Sequence, residues 1–345
     1  MAHHTHIEIE SLPGGSWGYQ HFQLASRHLR NLGLDTMGMT GSFHRSWGDF
    51  GTVRNQAALD YECFAMLAQA AKCSIGDHLH PRGKLSPAVY ERIGKTFRAV
   101  AAKEPWCAGA RAVTEIGSLL TYQGARANES DVGVTTILSQ LHQQFDLIEA
   151  DSDFRKYRVL VLPDSHRLDD RLREKLAAYL AGGGKLLLSH ESGLDAAGEK
   201  FVIPDIGLEY EGPWKHEVQY IEVLGEAGEG IPKMVHVAYE AGSAVKALLG
   251  TSVLARIWAP YFDRNFRHFH VEQTPYSAPT DYVAAAARGN ITYVATPIFR
   301  SYSRFGYAVY RQLIANCLRR FVPDPLVRAG VPSTAQVTLT EQPGQ

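Results

Sequence analysis

The chain of 345 residues carries 35 basic and 36 acidic side chains, and 45% of its residues are hydrophobic. This composition is typical of a globular protein, and a formal net charge of −1 gives no electrostatic basis for binding nucleic acid or a membrane surface. No apolar run approaches the ~18 residues of a membrane span. We therefore expect neither nucleic acid nor a membrane as a partner.

The cysteines are widely spaced and match no CxxC metal pattern. Reduced, mostly buried thiols are the usual state of such residues in intracellular proteins. The N-terminal residues lack the charged and apolar regions of a signal peptide. The sequence therefore predicts a cytoplasmic protein, and nothing in it indicates a cofactor. The four cysteines are Cys63, Cys73, Cys107 and Cys317.

The first hundred residues show the alternation of three successive βα units. A complete (β/α) barrel needs eight such units and typically ~250 residues. We therefore expect residues 1–105 to form the last part of a barrel whose earlier units lie outside this chain. The predicted strands are residues 6–12, 35–41 and 73–76, with a Gly-rich loop at 13–19.

The helices of this segment are predicted from caps and apolar stripes. Asn55 and Ser86 are predicted N-caps, and Gly33 is a predicted helix stop. The stripes give each helix one face for the core. The predicted core positions are Leu59, Cys63, Met66, Leu67 and Ala70 in the second helix and Val89, Ile93, Phe97 and Val100 in the third.

Beyond Glu104 the pattern changes to that of a doubly wound parallel sheet. Two nearly all-aliphatic strands are separated by a helix that ends at Gly182, as expected of buried parallel strands. This alternation predicts a flavodoxin-like α/β domain. Its predicted extent is 106–325, with a β-rich insertion at about 201–275, and residues 326–345 are predicted to begin a truncated β segment that lacks a partner strand.

Glu10 is the candidate catalytic residue. Strand alternation places Glu8 and Glu10 on one face, and Glu10 lies at the carboxyl end of its strand, where barrel enzymes place their active sites. Hydrolysis of a glycosidic bond needs two carboxylates roughly 5–9.5 Å apart. The second would come from a strand that this chain lacks. The alternative is an exposed carboxylate on an edge strand.

Polar and aromatic side chains after the predicted strands are the candidate sugar-binding groups. Aromatic rings beside glycines stack on sugar rings, and His, Asp and Arg side chains hydrogen-bond hydroxyl groups. Ordinary packing of loop aromatics, Phe50 among them, is the alternative. The candidates are Trp17, Tyr19, His44, Trp47, Asp77, His78, His80 and Arg82.

Histidine pairs raise the competing hypothesis of a metal site. His78 and His80 would point to opposite sides of a strand, and His268 and His270 share this defect. We therefore predict no metal site.

In the second domain, Ser189 and His190 stand where a nucleophile elbow would lie, after a strand and before a turn into a helix. Ser189 and His190 follow a predicted buried strand, but no Cys is present and Gly-x-Ser-x-Gly is not matched. Adjacent residues on a strand face opposite ways, so the two do not form a dyad. A structural sheet is the prediction, and a glutaminase- or peptidase-like enzyme is the alternative.

The first segment resembles the end of the α-L-fucosidase type of glycoside hydrolase, family 29 and its relatives. That family has Ser-Trp-Gly, a helix and a strand ending Asn-Ile-Gly-Pro; here Ser74 replaces the Asn and Asp77 replaces the Pro. The family's acid/base Glu lies upstream of Ser-Trp-Gly, which the resemblance carries to Glu10; no residue corresponds to its nucleophilic Asp. The matching residues are Ser46-Trp47-Gly48, Ser74-Ile75-Gly76-Asp77 and Gly83.

Residues 110–320 resemble the class I glutamine-amidotransferase-like domain that follows the barrel in β-galactosidases with a trimerisation domain. The resemblance is carried by residues 157–164 and 176–188. It implies a homo-oligomer. Ser189-His190-Glu191 stands where true amidotransferases place their Cys, so the resemblance does not imply glutamine hydrolysis.

Together the two segments predict the C-terminal portion of a glycoside hydrolase. The expected substrate is a carbohydrate with a terminal sugar, cleaved by two carboxylates when the barrel is complete. This chain alone is expected to be inactive. The alternative is a non-catalytic assembly or carbohydrate-binding module.

Overall fold

A computed structural model describes residues 3–121, 128–269 and 271–342. The chain divides into two compact units. Unit 1 comprises Met1–Thr114, His142–Leu147 and Leu326–Gln345, and unit 2 comprises Glu115–Leu141 and Ile148–Pro325.

The described part of unit 1 is built around a parallel sheet of three strands joined by helices. The strands run in the order β1-β2-β3, as expected of consecutive βα units. The strands are β1 (His6–Glu10), β2 (Asp35–Gly41) and β3 (Lys72–Gly76), and the helices are α1 (Gln20–Leu29), α2 (Gln56–Ala68), α3 (Pro87–Ala101) and α4 (Glu104–Cys107).

The C-terminal segment of unit 1 has a partner strand, contrary to the sequence-based expectation. β16 (Thr340–Glu341) pairs antiparallel with β4 (Arg111–Ala112). The expectation failed because strand pairing links residues far apart in sequence. A two-residue strand such as β4 also leaves no alternation to detect.

Local signals explain most helix ends in unit 1. The Asn55 side chain accepts a hydrogen bond from the Ala58 N–H at 2.8 Å, as a cap should, and Gly33 has a left-handed φ of +80°. Three expectations are wrong. Ala70, predicted in the stripe of the second helix, lies beyond its end at Ala68 and is partly buried. Phe97 is exposed, and Thr96 takes the buried position on α3. The predicted loop at 13–19 contains a helical turn, Pro13–Trp17.

The core of unit 1 lies between the sheet and its helices. Ile9 on β1 packs with Phe22 on α1 and Met66 on α2. Gly38 on β2 is required there, because a Cβ at this position would lie 2.5 Å from Met66 and 2.7 Å from Phe22. The sheet and its helices therefore approach closely.

The most deeply buried ion pair among the described residues of unit 1 joins Arg54 and Glu62. Arg54 and Glu62 are bonded to each other, with side chains 7% and 3% exposed, and Thr40 donates its hydroxyl to the Glu62 carboxylate at 2.5 Å. By contrast, the pair between Lys72 and Asp35 has side chains 68% and 69% exposed. Buried pairs are sensitive to loss of one partner, since the remaining charge stays desolvated.

The main sheet of unit 2 continues from parallel into antiparallel strands. Its strands that lie wholly among the described residues of unit 2 are ordered β11-β10-β13-β14-β15-β8-β7-β5, with β5, β7, β8 and β15 parallel. The predicted α/β class is therefore confirmed.

Two further strands, β9 and β12, pair with each other. The strands are β5 (Ile116–Leu119), β6 (Phe145–Ile148), β7 (Val159–Leu162), β8 (Lys185–Ser189), β9 (Leu208–Pro213), β10 (Gln219–Val223), β11 (Val235–Ala238), β12 (Ser243–Ala247), β13 (Ser252–Pro260), β14 (Tyr276–Arg288) and β15 (Ile291–Val294). The helices are α5 (Glu129–Gln140), α6 (Asp170–Ala181), α7 (Ile298–Phe305) and α8 (Ala308–Arg319).

The parallel strands of unit 2 form its core. Leu160, Leu162, Leu186 and Leu188 are fully buried, which explains why β7 and β8 are continuous aliphatic runs. In the described ranges, no helix has the length and apolar character needed to cross a membrane.

We predict that the buried pair of Arg54 and Glu62 contributes more to the stability of unit 1 than the exposed pair of Lys72 and Asp35. Glu62→Ala should lower the free energy of unfolding by about 3–5 kcal/mol, because Arg54 is left buried and unpaired. Asp35→Ala should cost less than about 1 kcal/mol, because its partner Lys72 is hydrated. Urea denaturation of both variants measures the difference, and equal costs would contradict the prediction.

Candidate functional site

Glu10 lies at the carboxyl end of β1 and is bonded to Trp47. The indole Nε1–H of Trp47 donates to Glu10 Oε1. Ile9 is buried in the core, so the alternation of β1 turns Glu10 and the exposed Glu8 away from that core. A carboxylate offers about four lone-pair sites, so one indole bond leaves Glu10 with capacity for another partner.

The indole of Trp47 rests on the last residue of β3. A Cβ on Gly76 would lie 2.6 Å from Cη2 and 3.0 Å from Cζ2 of Trp47. Glycine therefore leaves the space that the ring occupies at the strand end. The contact brings the ends of β1 and β3 together through one side chain.

Aromatic rings and a histidine surround this contact. Phe43 stacks on His78 with ring centroids 4.4 Å apart, and Trp47 lies 5.0 Å from Phe43 and 5.9 Å from His78. Phe50 lies 4.6 Å from His78. We call Glu10, Phe43, Trp47, Phe50 and His78 the Glu10 cluster.

His78 contributes an unsatisfied polar atom to the cluster. Its Nε2 is buried and has no hydrogen-bond partner within the described residues. Buried polar atoms are nearly always hydrogen-bonded in folded proteins. A water molecule or a ligand hydroxyl at this position would supply the missing partner.

Asp77 fixes the neighbouring loop. Its Oδ1 accepts the Ser42 hydroxyl at 2.6 Å, and the Ser42 N–H donates to the carbonyl of Gly76 at 2.9 Å. The ends of β2 and β3 are therefore joined by side-chain and backbone bonds. Asp77 lies beside the Glu10 cluster with one oxygen already occupied.

The loop that carries Trp47 is held from behind by Arg54. The backbone N–H of Arg54 donates to the Ser42 carbonyl at 2.6 Å, and the Arg54 guanidinium donates to the His44 carbonyl at 2.9 Å. Glu62 holds the same guanidinium. Arg54 and Glu62 were not predicted; the available signal was a carboxylate three residues after Leu59, within the apolar stripe of α2.

Trp17 and Tyr19 pack against side chains outside the Glu10 cluster. Trp17 packs edge-on against His21 at 4.7 Å, and His21 Nδ1 lies 3.2 Å from the Ser11 hydroxyl. Burial lowers the pKa of His21, and the nearby Glu10 charge partly offsets this effect. Tyr19 packs against Tyr61 at 5.3 Å.

Tyr19 also lines a small cavity of about 20 Å³, next to Thr40 and Glu62. That volume suits a single water molecule. Burial, followed by the charge of Glu62, raises the pKa of the Tyr19 hydroxyl. Tyr19 thus belongs with the buried Glu62 network.

The remaining predicted residues, His80, His44 and Arg82, lie outside the Glu10 cluster. His80 lies 6.2 Å from the Phe50 ring and accepts the Arg82 N–H at Nδ1, 3.2 Å away. His44 and Arg82 are exposed. His78 and His80 both contact Phe50, so the argument that they point apart is wrong, because β3 already ends at Gly76.

Metal ligation has no geometric support in the described ranges, where no group of three or more His, Cys, Asp or Glu side chains could hold an ion. His268 belongs to no such group, and His270 lies outside the described residues.

Ser189, the position compared with a nucleophile elbow, lies in a buried hydrogen-bond network of unit 2. Ser189 is fully buried, and its hydroxyl donates to Asp164 at 2.7 Å. His190, with a left-handed φ of +51°, occupies the turn. Asp164 also accepts the Arg300 N–H at 2.8 Å and the Ser130 hydroxyl at 2.8 Å. This buried network ties the start of α7 to β8, which favours a structural role for Ser189.

Residues 136–321 match the family described as the β-galactosidase trimerisation domain. The chain belongs to this family. A search of curated proteins found no match. The predicted resemblance of the second segment to this domain is therefore confirmed, and the chain is related to glycoside hydrolases.

Solved structures of glycoside hydrolases share the fold. α-L-Fucosidase isoenzyme 2 from Paenibacillus thiaminolyticus is 32% identical with a TM-score of 0.94, covering 98% of this chain and 53% of that one. The β-galactosidase from Bacillus circulans sp. alkalophilus is 13% identical with a TM-score of 0.72, covering 98% and 53%. That from Rahnella sp. R3 is 12% identical with a TM-score of 0.70, covering 96% and 53%. The β-galactosidases show the fold alone.

The chain spans about half the length of the solved structures that it matches.

We predict that Gly76→Ala displaces Trp47 and breaks its bond to Glu10. The added Cβ would lie 2.6 Å from the indole, and such overpacking typically costs about 1–3 kcal/mol. The indole N–H resonance of Trp47 in an ¹⁵N-labelled sample, assigned with Trp47→Phe, should move toward the position of an unbonded indole. Gly94→Ala on α3 is the control, and an unmoved resonance in Gly76→Ala would refute the prediction.

Proposed function

We propose that this chain is part of an α-L-fucosidase-like glycoside hydrolase and that Glu10 is one of its two catalytic carboxylates. The bond from Trp47 to Glu10 at the carboxyl end of β1 is the observation that carries the proposal. Barrel enzymes place their catalytic groups at this end of parallel strands. The 32% identity to a fucosidase favours α-L-fucose as the terminal sugar.

In this proposal, residues 1–105 close a (β/α) barrel. Three consecutive parallel strands with intervening helices are what the end of such a barrel requires. The second catalytic carboxylate belongs to a part of the barrel outside these residues, so the 345-residue chain alone is inactive.

The Glu10 cluster is proposed as one wall of the sugar site. Trp47 and Phe50 are about half exposed, which leaves ring surface for the apolar face of a sugar. His78 Nε2 lacks a partner within the described residues, and a sugar hydroxyl would satisfy it. Asp77, His80 and Arg82 are proposed to contact the sugar from the margin of the wall, with His44.

Trp17 and Tyr19 are proposed to support the site indirectly. Trp17 acts through His21, which is electrostatically coupled to Glu10. Tyr19 supports the Glu62 network behind the loop. Neither lies in the Glu10 cluster, so neither is proposed as a principal sugar contact.

Unit 2 is proposed as the assembly domain, flavodoxin-like in its parallel half. The order β5-β7-β8-β15 within unit 2 corresponds to strands 1-3-4-5 of the 2-1-3-4-5 order of that architecture. The proposed extent is 106–325, with residues 201–275 as the β-rich insertion and 326–345 as a separate segment. The buried Ser189 supports a domain without glutaminase chemistry. A cytoplasmic location is also proposed, consistent with four free cysteines.

The decisive experiment compares two glutamates on one strand. In the protein expressed with a complete barrel, Glu10→Gln should lower kcat on nitrophenyl α-L-fucoside by roughly 10²- to 10⁴-fold, because a catalytic carboxyl is lost. Glu8→Gln, on the same face but exposed, should change kcat little. The 345-residue chain alone should show no turnover.

The leaving group then identifies the role of Glu10. A dinitrophenyl fucoside needs little protonation of its leaving group, so a deficit that shrinks on this substrate identifies Glu10 as the general acid. A deficit that persists identifies the nucleophile or base. If Glu10→Gln keeps full activity, Glu10 is not catalytic. Fucose-induced stabilisation without any turnover would favour a carbohydrate-binding module.

An exposed aromatic loop is the proposed contact with a second copy of the chain. The loop between β13 and β14 carries Phe266 and Phe269, which are 89% and 73% exposed. Its base is fixed by the ion pair of Arg264 with Glu217 at 3.1 Å. Exposed apolar clusters mark protein interfaces, and a trimerisation domain implies identical partners.

We predict that Phe266→Ser combined with Phe269→Ser lowers the oligomeric state, because the interface loses its apolar side chains. Light scattering coupled to size exclusion measures the mass. Leu249→Ser is the matched control, since Leu249 is 99% exposed on a different turn of unit 2. An unchanged oligomer in the double variant would exclude this loop as the interface.

A further inference from the structure

Two stacked aromatic rings form a second exposed apolar surface on unit 2. Tyr239 follows β11, and Phe305 is the last residue of α7. Their ring centroids are 4.7 Å apart, and the two residues are 47% and 49% exposed. Tyr307 packs edge-on against Tyr239 at 5.8 Å. We call Tyr239, Phe305 and Tyr307 the Tyr239 patch.

Hydrogen bonds hold this patch in place from the inside of unit 2. The backbone N–H of Tyr239 donates to the hydroxyl of the buried Tyr310 at 2.9 Å. The Tyr307 hydroxyl is bonded to His236 Nδ1 at 2.8 Å. Aromatic side chains that are already ordered lose little conformational entropy when a partner covers them. The Tyr239 patch is therefore preorganised for a contact.

Ion pairs border the patch. Arg304 precedes Phe305 and Glu240 follows Tyr239, and the two charged side chains are bonded at 2.7 Å. Arg304 also pairs with Glu129 at 2.6 Å. An apolar centre with a polar margin is the usual anatomy of a protein interface. Because these charges are neutralised within one copy, the surface that covers the patch needs to be apolar rather than charged.

The patch and the loop that carries Phe266 and Phe269 lie at the same end of the main sheet. β10 pairs antiparallel with both β11 and β13, so the chain enters β10 at the end where it leaves the other two strands. Tyr239 is the first residue after β11, and the loop follows β13. Glu217, which precedes β10, holds Arg264 of that loop.

Threefold symmetry restricts how these two surfaces meet in a trimer. In a ring of three identical chains, each contact joins one surface of a copy to a different surface of its neighbour. We propose that Phe266 and Phe269 of one copy pack on the Tyr239 patch of the next copy. The inference rests on the interface loop proposed above and on the match to a trimerisation domain.

The chemistry of the two surfaces is matched. Phe266 and Phe269 are 89% and 73% exposed, and the Tyr239 patch offers aromatic rings with free surface. Aromatic pairs contribute to binding beyond the area that they bury. Three such contacts use the loop and the patch of every copy, so the ring closes without an exposed aromatic cluster at either surface.

The mass of a patch variant tests the contact. In the 345-residue chain, Tyr239→Ser combined with Phe305→Ser should raise the dissociation constant roughly 10²-fold or more, because two aromatic side chains leave the centre of the interface. Sedimentation velocity should then record single chains. Tyr90→Ser is the matched control, since Tyr90 is 40% exposed on α3 of unit 1, and it should leave the trimer intact.

A mixture of two defective variants tests which surfaces meet. The loop variant, Phe266→Ser with Phe269→Ser, keeps its patch, and the patch variant keeps its loop. An equal mixture should form particles of two chains and no larger, because one intact contact joins them and neither remaining surface can bind. A mixture that stays as single chains would overturn the inference.

The outcomes separate this inference from the interface proposed above. Single chains in the unaltered protein, or a loop variant that stays trimeric, would overturn both. A loop variant that dissociates beside a patch variant that stays trimeric would overturn only the pairing of loop and patch.

A disulfide decides the question if the patch variant fails to fold. Chains with Phe269→Cys, mixed with chains that carry Phe305→Cys, should give a crosslinked pair on oxidation, whereas the unaltered chain should not. Absence of this mixed pair, or crosslinking of Phe269→Cys chains with one another, would overturn the inference.

Discussion

The loop between β2 and α2 is held by one buried charge, and the candidate site depends on it. Arg54 donates to two carbonyls of that loop, and Glu62 neutralises its guanidinium out of contact with water. Without Glu62, the guanidinium would need solvent and the loop would lose its anchor. Trp47 could then not be placed against Gly76 with its N–H directed at Glu10. A structural ion pair therefore determines the geometry of a surface site.

The βα order of unit 1 was predictable because its signals are local. Asn55 caps α2 through its own side chain, and Gly33 ends a helix by its left-handed conformation. The aliphatic runs of β7 and β8 were equally clear, since burial on both faces leaves little room for polar residues. These features need no knowledge of distant parts of the chain.

The site was only partly predictable because it is made by contacts across loops. Glu10, Trp47 and His78 were predicted from their positions after strands, but no pattern indicated that Phe43 would stack on His78. Phe97 shows the converse, because its helical spacing suggested the core while the structure leaves it exposed. Periodicity identifies which face is apolar, whereas packing decides how much of it is covered.

The contact between Gly76 and the indole has a consequence for comparing related sequences. Gly76 has only a hydrogen atom where other residues have a side chain, and the Trp47 indole fills that space. Any larger substituent at residue 76 would occupy it instead. A homologue with another residue here must have abandoned this arrangement or rebuilt it. The residue aligned with Gly76 would thus separate relatives that keep the contact between this position and Trp47 from relatives that have lost it.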